Sequence, residues 1–140
     1  ASNLVPIVAE VAIGIREKLV VNGNNYNTHD GTCVRDYIHV QDLAIAHVRA
    51  LDYLLETKGK HSFNVGTGNG LSVLDIINSF EKVNKVKVNY VVGPRRKGDV
   101  EKIYSDGSLI KNLLGWKPLR STKDALISAW KWQNSKILEL

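Results

Sequence analysis

A chain of 140 residues, 44% hydrophobic and 24% charged, has the size and composition of one folded domain with a buried core. No apolar run is long enough for a bilayer span, and the segment from Ala1 lacks the basic-then-apolar order of a secretory signal. The net charge of +5 comes without a Lys/Arg block, an RNP-like aromatic pattern or zinc-finger spacing, which argues against nucleic acid, and the single Cys33 excludes an internal disulfide framework and fits the reducing cytoplasm.

Leu4, Val8, Val11, Ala12 and Ile15 recur at helical spacing, with Asn3 at the N-cap position. Pro6 falls in the first turn, where a missing amide loses no intrahelical bond. Leu19 to Val21 reads as a short strand, followed by a turn-rich segment from Asn22 to Gly31. A strand is predicted over Asp36–Val40, and a helix over Gln41–Glu56 with Leu43, His47, Ala50, Leu51 and Leu54 on its inner face. Ser62–Val65 reads as another strand. A glycine-rich turn then leads to a helix opening at Ser72, with Asp75 three positions on as a loose capping box and Val73, Ile76, Ile77 and Phe80 facing inward. Val86, Val88 and Tyr90 alternate with Lys87 and Asn89 in the period of a half-buried strand. Gly93 and Pro94 open an irregular loop that runs to Lys102. A short helix over Ser108–Leu114 stops at Gly115, with Pro118 beyond it. The last helix starts near Ser121, with Asp124 in its first turn and Leu126, Ala129 and Trp130 inward. This alternation predicts an α/β fold.

Gly66, Gly68 and Gly70 lie between a strand signal and a helix signal, yet their spacing is G-x-G-x-G and not the dinucleotide fingerprint G-x-G-x-x-G. The acidic residue expected about 20 positions on, to hold the ribose, is missing too. A strand-to-helix turn that needs glycine's freedom is the better reading, and the segment is rejected as an NAD site. His29, His39, His47 and His61 show no metal-ligand spacing with one another, and Cys33 has no second thiol. No tyrosine is followed by lysine four positions later. These patterns leave no metal centre and no catalytic residue to name.

Three positions suit a diphosphate. The start of the first helix offers free amides, a positive dipole end and the Asn3 side chain, although Asn3 as a plain cap is the simpler reading of that position alone. Arg35 sits between a loop and a strand, either facing a cleft or paired with Asp36 or Asp30. Arg95, Arg96, Lys97 and Asp99 share one glycine-containing loop, either as phosphate and hydroxyl partners or as a solvated basic turn. Composition and spacing therefore reach an α/β chain able to bind a phosphorylated small molecule.

The blocks Asn3-Leu4-Val5-Pro6 and Asp30-Gly31-Thr32-Cys33-Val34-Arg35-Asp36-Tyr37-Ile38-His39-Val40-Gln41-Asp42-Leu43-Ala44 closely resemble UDP-glucose 4-epimerases, members of the extended short-chain dehydrogenase/reductases. Asn64-Val65-Gly66-Thr67-Gly68, Arg95-Arg96-Lys97-Gly98-Asp99 and Leu114-Gly115-Trp116-Lys117-Pro118 continue the resemblance in the same order. It implies that residues 1–140 are the C-terminal, UDP-sugar-binding region, with strands that complete the sheet of a Rossmann half lying outside this chain. Its partners would be UDP-glucose or UDP-galactose, interconverted through a hydride passed from C4 to NAD and back. Asn3 and Leu4 would contact the UDP phosphates, Val20, Val21 and Asn22 the uridine, Arg35 and Arg96 the diphosphate, and Asp99 the ribose. Ile103 would stand where strict glucose/galactose epimerases often carry a bulky tyrosine, and Asn22 where some members place an aromatic on the uracil.

The family's glycine fingerprint and Tyr-x-x-x-Lys pair belong to its N-terminal half and do not occur in this sequence. The resemblance thus implies that this chain binds no NAD and is inactive alone. It also implies bare strand edges near Ile38 and Asn64, hence possible self-association. The alternative is a stand-alone module that binds UDP or a nucleotide-sugar without catalysis.

Overall fold

The computed structural model describes residues 2–135. In chain order it forms α1 (Leu4–Ala12), β1 (Leu19–Asn22), β2 (Val34–Asp36), α2 (Val40–Glu56), β3 (Gly70–Ser72), α3 (Val73–Asn84), β4 (Tyr90–Gly93), α4 (Ser108–Leu114) and α5 (Thr122–Ser135). The class is α/β, as predicted. β1 pairs in parallel with β4, Leu19 opposite Tyr90 and Asn22 opposite Gly93. β2 pairs antiparallel with β3, and Val34 also bridges to Lys102.

α3 forms where its sequence says it should. The Ser72 hydroxyl accepts from the Asp75 amide while the Asp75 carboxylate accepts from the Ser72 amide, which satisfies two otherwise bare donors of the first turn. Ile76, Ile77 and Phe80 point into the main core with Val8, Ala9 and Val11 of α1, Leu19 and Val21 of β1, Val88 and Leu126 of α5. Phe80 meets Trp130 edge-on, with centroids 5.8 Å apart. Each such large side chain contributes about 1.5–3 kcal/mol by leaving water. This core supports one wall of the site, because α1 and β1 both rest on it.

A smaller cluster joins Ala46 of α2, Ile110 of α4 and Trp116. Asp42 anchors it. Its carboxylate, 1% exposed, accepts from the amides of Leu119 and Arg120 and from the Arg120 guanidinium at 2.6 Å. The Trp116 indole N–H donates to its carbonyl. Burial pushes the Asp42 pKa up, but the Arg120 amide and guanidinium and the Leu119 amide outweigh that and hold it below the ordinary carboxylate value.

Four local expectations are corrected. The strand predicted over Asp36–Val40 lies earlier, at Val34–Asp36, because those residues meet β3, whereas His39 becomes the N-cap of α2 and accepts from the Gln41 amide at 3.0 Å. Ser62–Val65 forms no ladder among the described residues, since no extended neighbour runs beside it. The strand expected around Val86–Tyr90 runs instead over Tyr90–Gly93, in register with β1, so that Val88 is buried while Tyr90 is exposed. The inner face of α2 is rotated: Asp42 and Ala46 are buried, and His47, Leu51 and Leu54 are exposed, because the α4–α5 connection closes over Asp42. Among the described residues no helix is long and apolar enough to cross a membrane.

Candidate functional site

A cavity of about 470 Å³ is lined by the first turn of α1, by β1, by Cys33, Arg35 and Tyr37, and by Arg96 and Asp99 of the loop after β4. On the α1 side, Asn3 has an extended backbone and its side chain makes no cap hydrogen bond. The helical ladder begins with the Ile7 amide donating to the Asn3 carbonyl. The amides of Leu4 and Val5 therefore have no intrahelical acceptor, and Pro6 has no N–H to leave bare. The two free amides, of Leu4 and Val5, thus suit an anion at the positive end of the helix.

β1 supplies Val20 and Asn22, which share one face of the strand and are exposed, while Val21 between them is buried in the core and also lines the cavity. Gly23 follows with φ +85°, a left-handed conformation that favours glycine. A Cβ there would also sit 2.7 Å from Arg95 Cγ, so glycine lets the loop after β4 approach β1.

That loop separates its cations. Arg95 stacks on the Tyr26 ring, 4.0 Å from its centroid, and donates to the Asn25 side chain and carbonyl, so it ties two loops together away from the cavity. Arg96 turns to the cavity and donates to Asp99 Oδ1 at 2.7 Å. The hydrogen bond and charge of Asp99 raise the Arg96 pKa further above its already high value. Arg35 donates to the carbonyls of Val34 and Val100, at 2.8 and 2.7 Å, and lies 3.6 Å from Asp99. Its acidic partner is thus Asp99, not Asp36 or Asp30. Two guanidiniums against one carboxylate leave this wall positive.

Of the residues singled out in the sequence, Asn3, Leu4, Val20, Val21, Asn22, Arg35, Arg96 and Asp99 all line this cavity. Ile103 does not: its amide donates to the Val34 carbonyl and its side chain is exposed. Tyr37 was missed. It follows Arg35 by two residues, and that period-two spacing was the available signal. Burial pushes its phenol up to about 12 against the lowering pull of Arg35, so it is a neutral hydrogen-bond donor at pH 7.

The glycine turn at residues 66–70 does not fit a dinucleotide cradle. The Asp36 carboxylate already accepts from the Thr67 and Gly68 amides and from Ser105. A Cβ on Gly66 would meet that carboxylate and the Ser105 hydroxyl, so glycine makes room there for the chain's own side chains. Burial raises the Asp36 pKa, and these bonds bring it below the ordinary value. His29, Asp30 and Asp75 also converge, with ligand-type atoms within 4.8 Å of one another. Both carboxylates are committed: Asp75 to the cap of α3, Asp30 to Thr32 and the Ser72 hydroxyl.

A family model described as GDP-mannose 4,6 dehydratase matches residues 1–128. A UDP-glucose 4-epimerase of Pasteurella multocida is 49% identical over 132 residues, which is 94% of this chain and 39% of that protein. The crystal structure of a UDP-glucose 4-epimerase from Stenotrophomonas maltophila, with bound NAD and formylated UDP-arabinopyranose, superposes with a TM-score of 0.96 at 44% identity, over 100% of this chain and 42% of that one. The enzyme from Bifidobacterium longum, in complex with NAD+ and UDP, gives 0.93 at 42% identity, over 98% and 41%. The chain therefore spans well under half the length of the relatives it matches. Because the family model matches 128 of the chain's 140 residues, the chain belongs to the GDP-mannose 4,6 dehydratase family, and its similarity runs to the UDP-glucose 4-epimerases.

Proposed function

We propose that this chain forms the UDP-sugar-binding portion of a UDP-glucose 4-epimerase, with NAD and the proton-transfer groups held by residues outside these 140. The observation that carries this reading is the convergence on one cavity of a free helix start, two guanidiniums and an exposed strand face. The Leu4 and Val5 amides, Asn3, Arg35 and Arg96 surround a diphosphate from opposite sides. Val20, Val21 and Asn22 lie along the uracil and Tyr37 donates from its neutral phenol. UDP-glucose or UDP-galactose is the substrate of the whole enzyme. Hydride transfer is assigned to the other portion, because the glycine turn present here is filled by Asp36 and Ser105. The chain alone is then catalytically silent. A cytoplasmic setting suits its free, buried Cys33.

Calorimetric titration of the chain with UDP, beside ADP and an Arg96→Ala variant, tests the reading. UDP is expected to bind more tightly than ADP. Loss of the Arg96 charge is expected to weaken UDP by about 1.5–3 kcal/mol, tenfold or more in Kd. Equal binding of UDP and ADP, or an Arg96→Ala variant with unchanged Kd, overturns the assignment of the cavity. Epimerase turnover by the 140-residue chain itself overturns the division of labour.

A further inference from the structure

Among the described residues one fully buried side-chain polar atom has no hydrogen-bond partner, the Tyr26 hydroxyl. A phenol buried in this way forfeits the bond it would make to water, and an acceptor placed beside it recovers that bond. Tyr26 is 5% exposed and its ring is held in place: the Arg95 guanidinium stacks on it at 4.0 Å. A Cβ on Gly23, which lines the cavity, would stand 3.0 Å from Tyr26 Cε2, so the ring lies just behind the cavity wall. The group beside the hydroxyl is the Cys33 thiol. Burial first, and then this thiol, pushes the phenol above its ordinary value, so at pH 7 it is a neutral donor. Cys33 itself lines the cavity and is the sole cysteine of the chain. Its carbonyl accepts from the Val73 amide at 3.1 Å, which fixes the backbone at the entry to β2.

We propose that Cys33 is an oxidation site, reached by a small hydroperoxide through the cavity, and that the Tyr26 hydroxyl is the donor for the oxygen the sulfur gains. In the step the sulfur attacks one peroxide oxygen. An S–O bond forms as the O–O bond breaks, and sulfur is oxidised by two electrons. The other peroxide oxygen is reduced and leaves as water with the thiol proton. The product is a sulfenic acid whose oxygen accepts from Tyr26. No second thiol in the chain can condense with it, so it is left for an external thiol to reduce. Because Cys33 lines the cavity, a bound ligand covers it, and oxidation then depends on whether the site is occupied. That last consequence rests on the UDP-site reading; the oxidation does not.

The test is a short pulse of hydrogen peroxide stopped with catalase. Dimedone, which adds to sulfenic acid, follows after varied delays, and the adduct is read by intact mass. The wild-type chain is expected to carry one adduct, with the sulfenic acid decaying about fivefold more slowly than in Tyr26→Phe, the factor one ordinary hydrogen bond makes. No adduct on the folded wild type, or equal lifetimes in the two chains, overturns the inference. Thermal unfolding of the unoxidised chains checks the hydroxyl: Tyr26→Phe is expected to leave the midpoint unchanged or to raise it. A clear fall would mean that the hydroxyl already has an acceptor, which also overturns the inference. Saturating UDP is expected to cut the adduct several-fold. UDP that binds in the calorimetric titration yet leaves the yield unchanged overturns the shielding. UDP that does not bind sinks the proposed function, and the lifetimes and midpoints then decide the oxidation site alone.

Discussion

α2 and α3 are both amphipathic, yet α3 buries its apolar side chains and α2 does not. Ile76 and Phe80 of α3 are 0% exposed, whereas Val48, Leu51 and Leu55 of α2 are 59%, 56% and 80% exposed. The cause is placement. α3 lies against α1 and α5 within the main core, while the buried contacts of α2 with α4 and the 116–120 segment run through Asp42 and Ala46. Val40, Ala44, Val48, Leu51 and Leu55 then fall on one uncovered helical face. The same periodicity that fixes α3 in place leaves α2 with an apolar face open to another surface. The cavity sits on the α3 side of this divide, which is why its α1 and β1 walls are well supported.

The comparison is sharpest at Phe80. Phe80→Ala removes a fully buried ring packed on Trp130 and is expected to cost about 3–5 kcal/mol, read as a fall in urea midpoint. A loss under about 1 kcal/mol would mean that this core collapses onto the gap, and the contrast with α2 would lose its basis.

Next comes Asp42, where α2 is held by polar contacts and not by its apolar face. Asp42→Asn removes the negative partner of Arg120 from a site 1% exposed and is expected to cost about 3 kcal/mol at pH 7. The sign of the pH dependence follows from the lowered folded-state pKa. The stabilisation is complete above the unfolded value, about 3.9, and is lost as pH falls through the lower folded value. Acid titration of stability is therefore expected to fall more steeply below about pH 4 for the wild type than for Asp42→Asn. Parallel curves would show that other carboxylates with lowered pKa values, such as Asp30 and Asp36, carry the acid sensitivity instead.

The same divide separates what the sequence revealed from what it hid. The start and inner face of α3 were readable because both are local: Ser72 and Asp75 lie three residues apart, and Ile76, Ile77 and Phe80 recur at helical spacing. The inner face of α2 was misread because it depends on Arg120, 78 positions away in sequence. The strand at Leu19–Val21 was read correctly, but the others failed for a related reason, since a ladder belongs to two segments: Ser62–Val65 has strand-forming residues and no partner among the described residues, and β2 is set by where β3 and Lys102 lie. At the cavity, Asn3 and the 95–99 loop announced themselves by residue type. The pairing of Arg35 with Asp99 and the outward turn of Arg95 onto Tyr26 did not, because both are contacts between distant loops. Ile103, placed by the resemblance alone, lies outside this cavity with its side chain exposed.

The smallest effect expected is at the exposed face itself. Val48→Gln with Leu55→Gln places good helix formers where the side chains meet solvent, so stability is expected to change by no more than about 0.5 kcal/mol. Self-association, if this face drives it, is expected to fall in the same variant, read by sedimentation equilibrium over a range of concentration. The segments near Ile38 and Asn64 form no ladder among the described residues, and the apolar face of α2 is a second surface open to such contact. A loss above about 2 kcal/mol would mean that Val48 and Leu55 are covered in solution, as burial of two aliphatic side chains requires. In that case α2 and α3 would be alike after all, one buried within the chain and the other between chains.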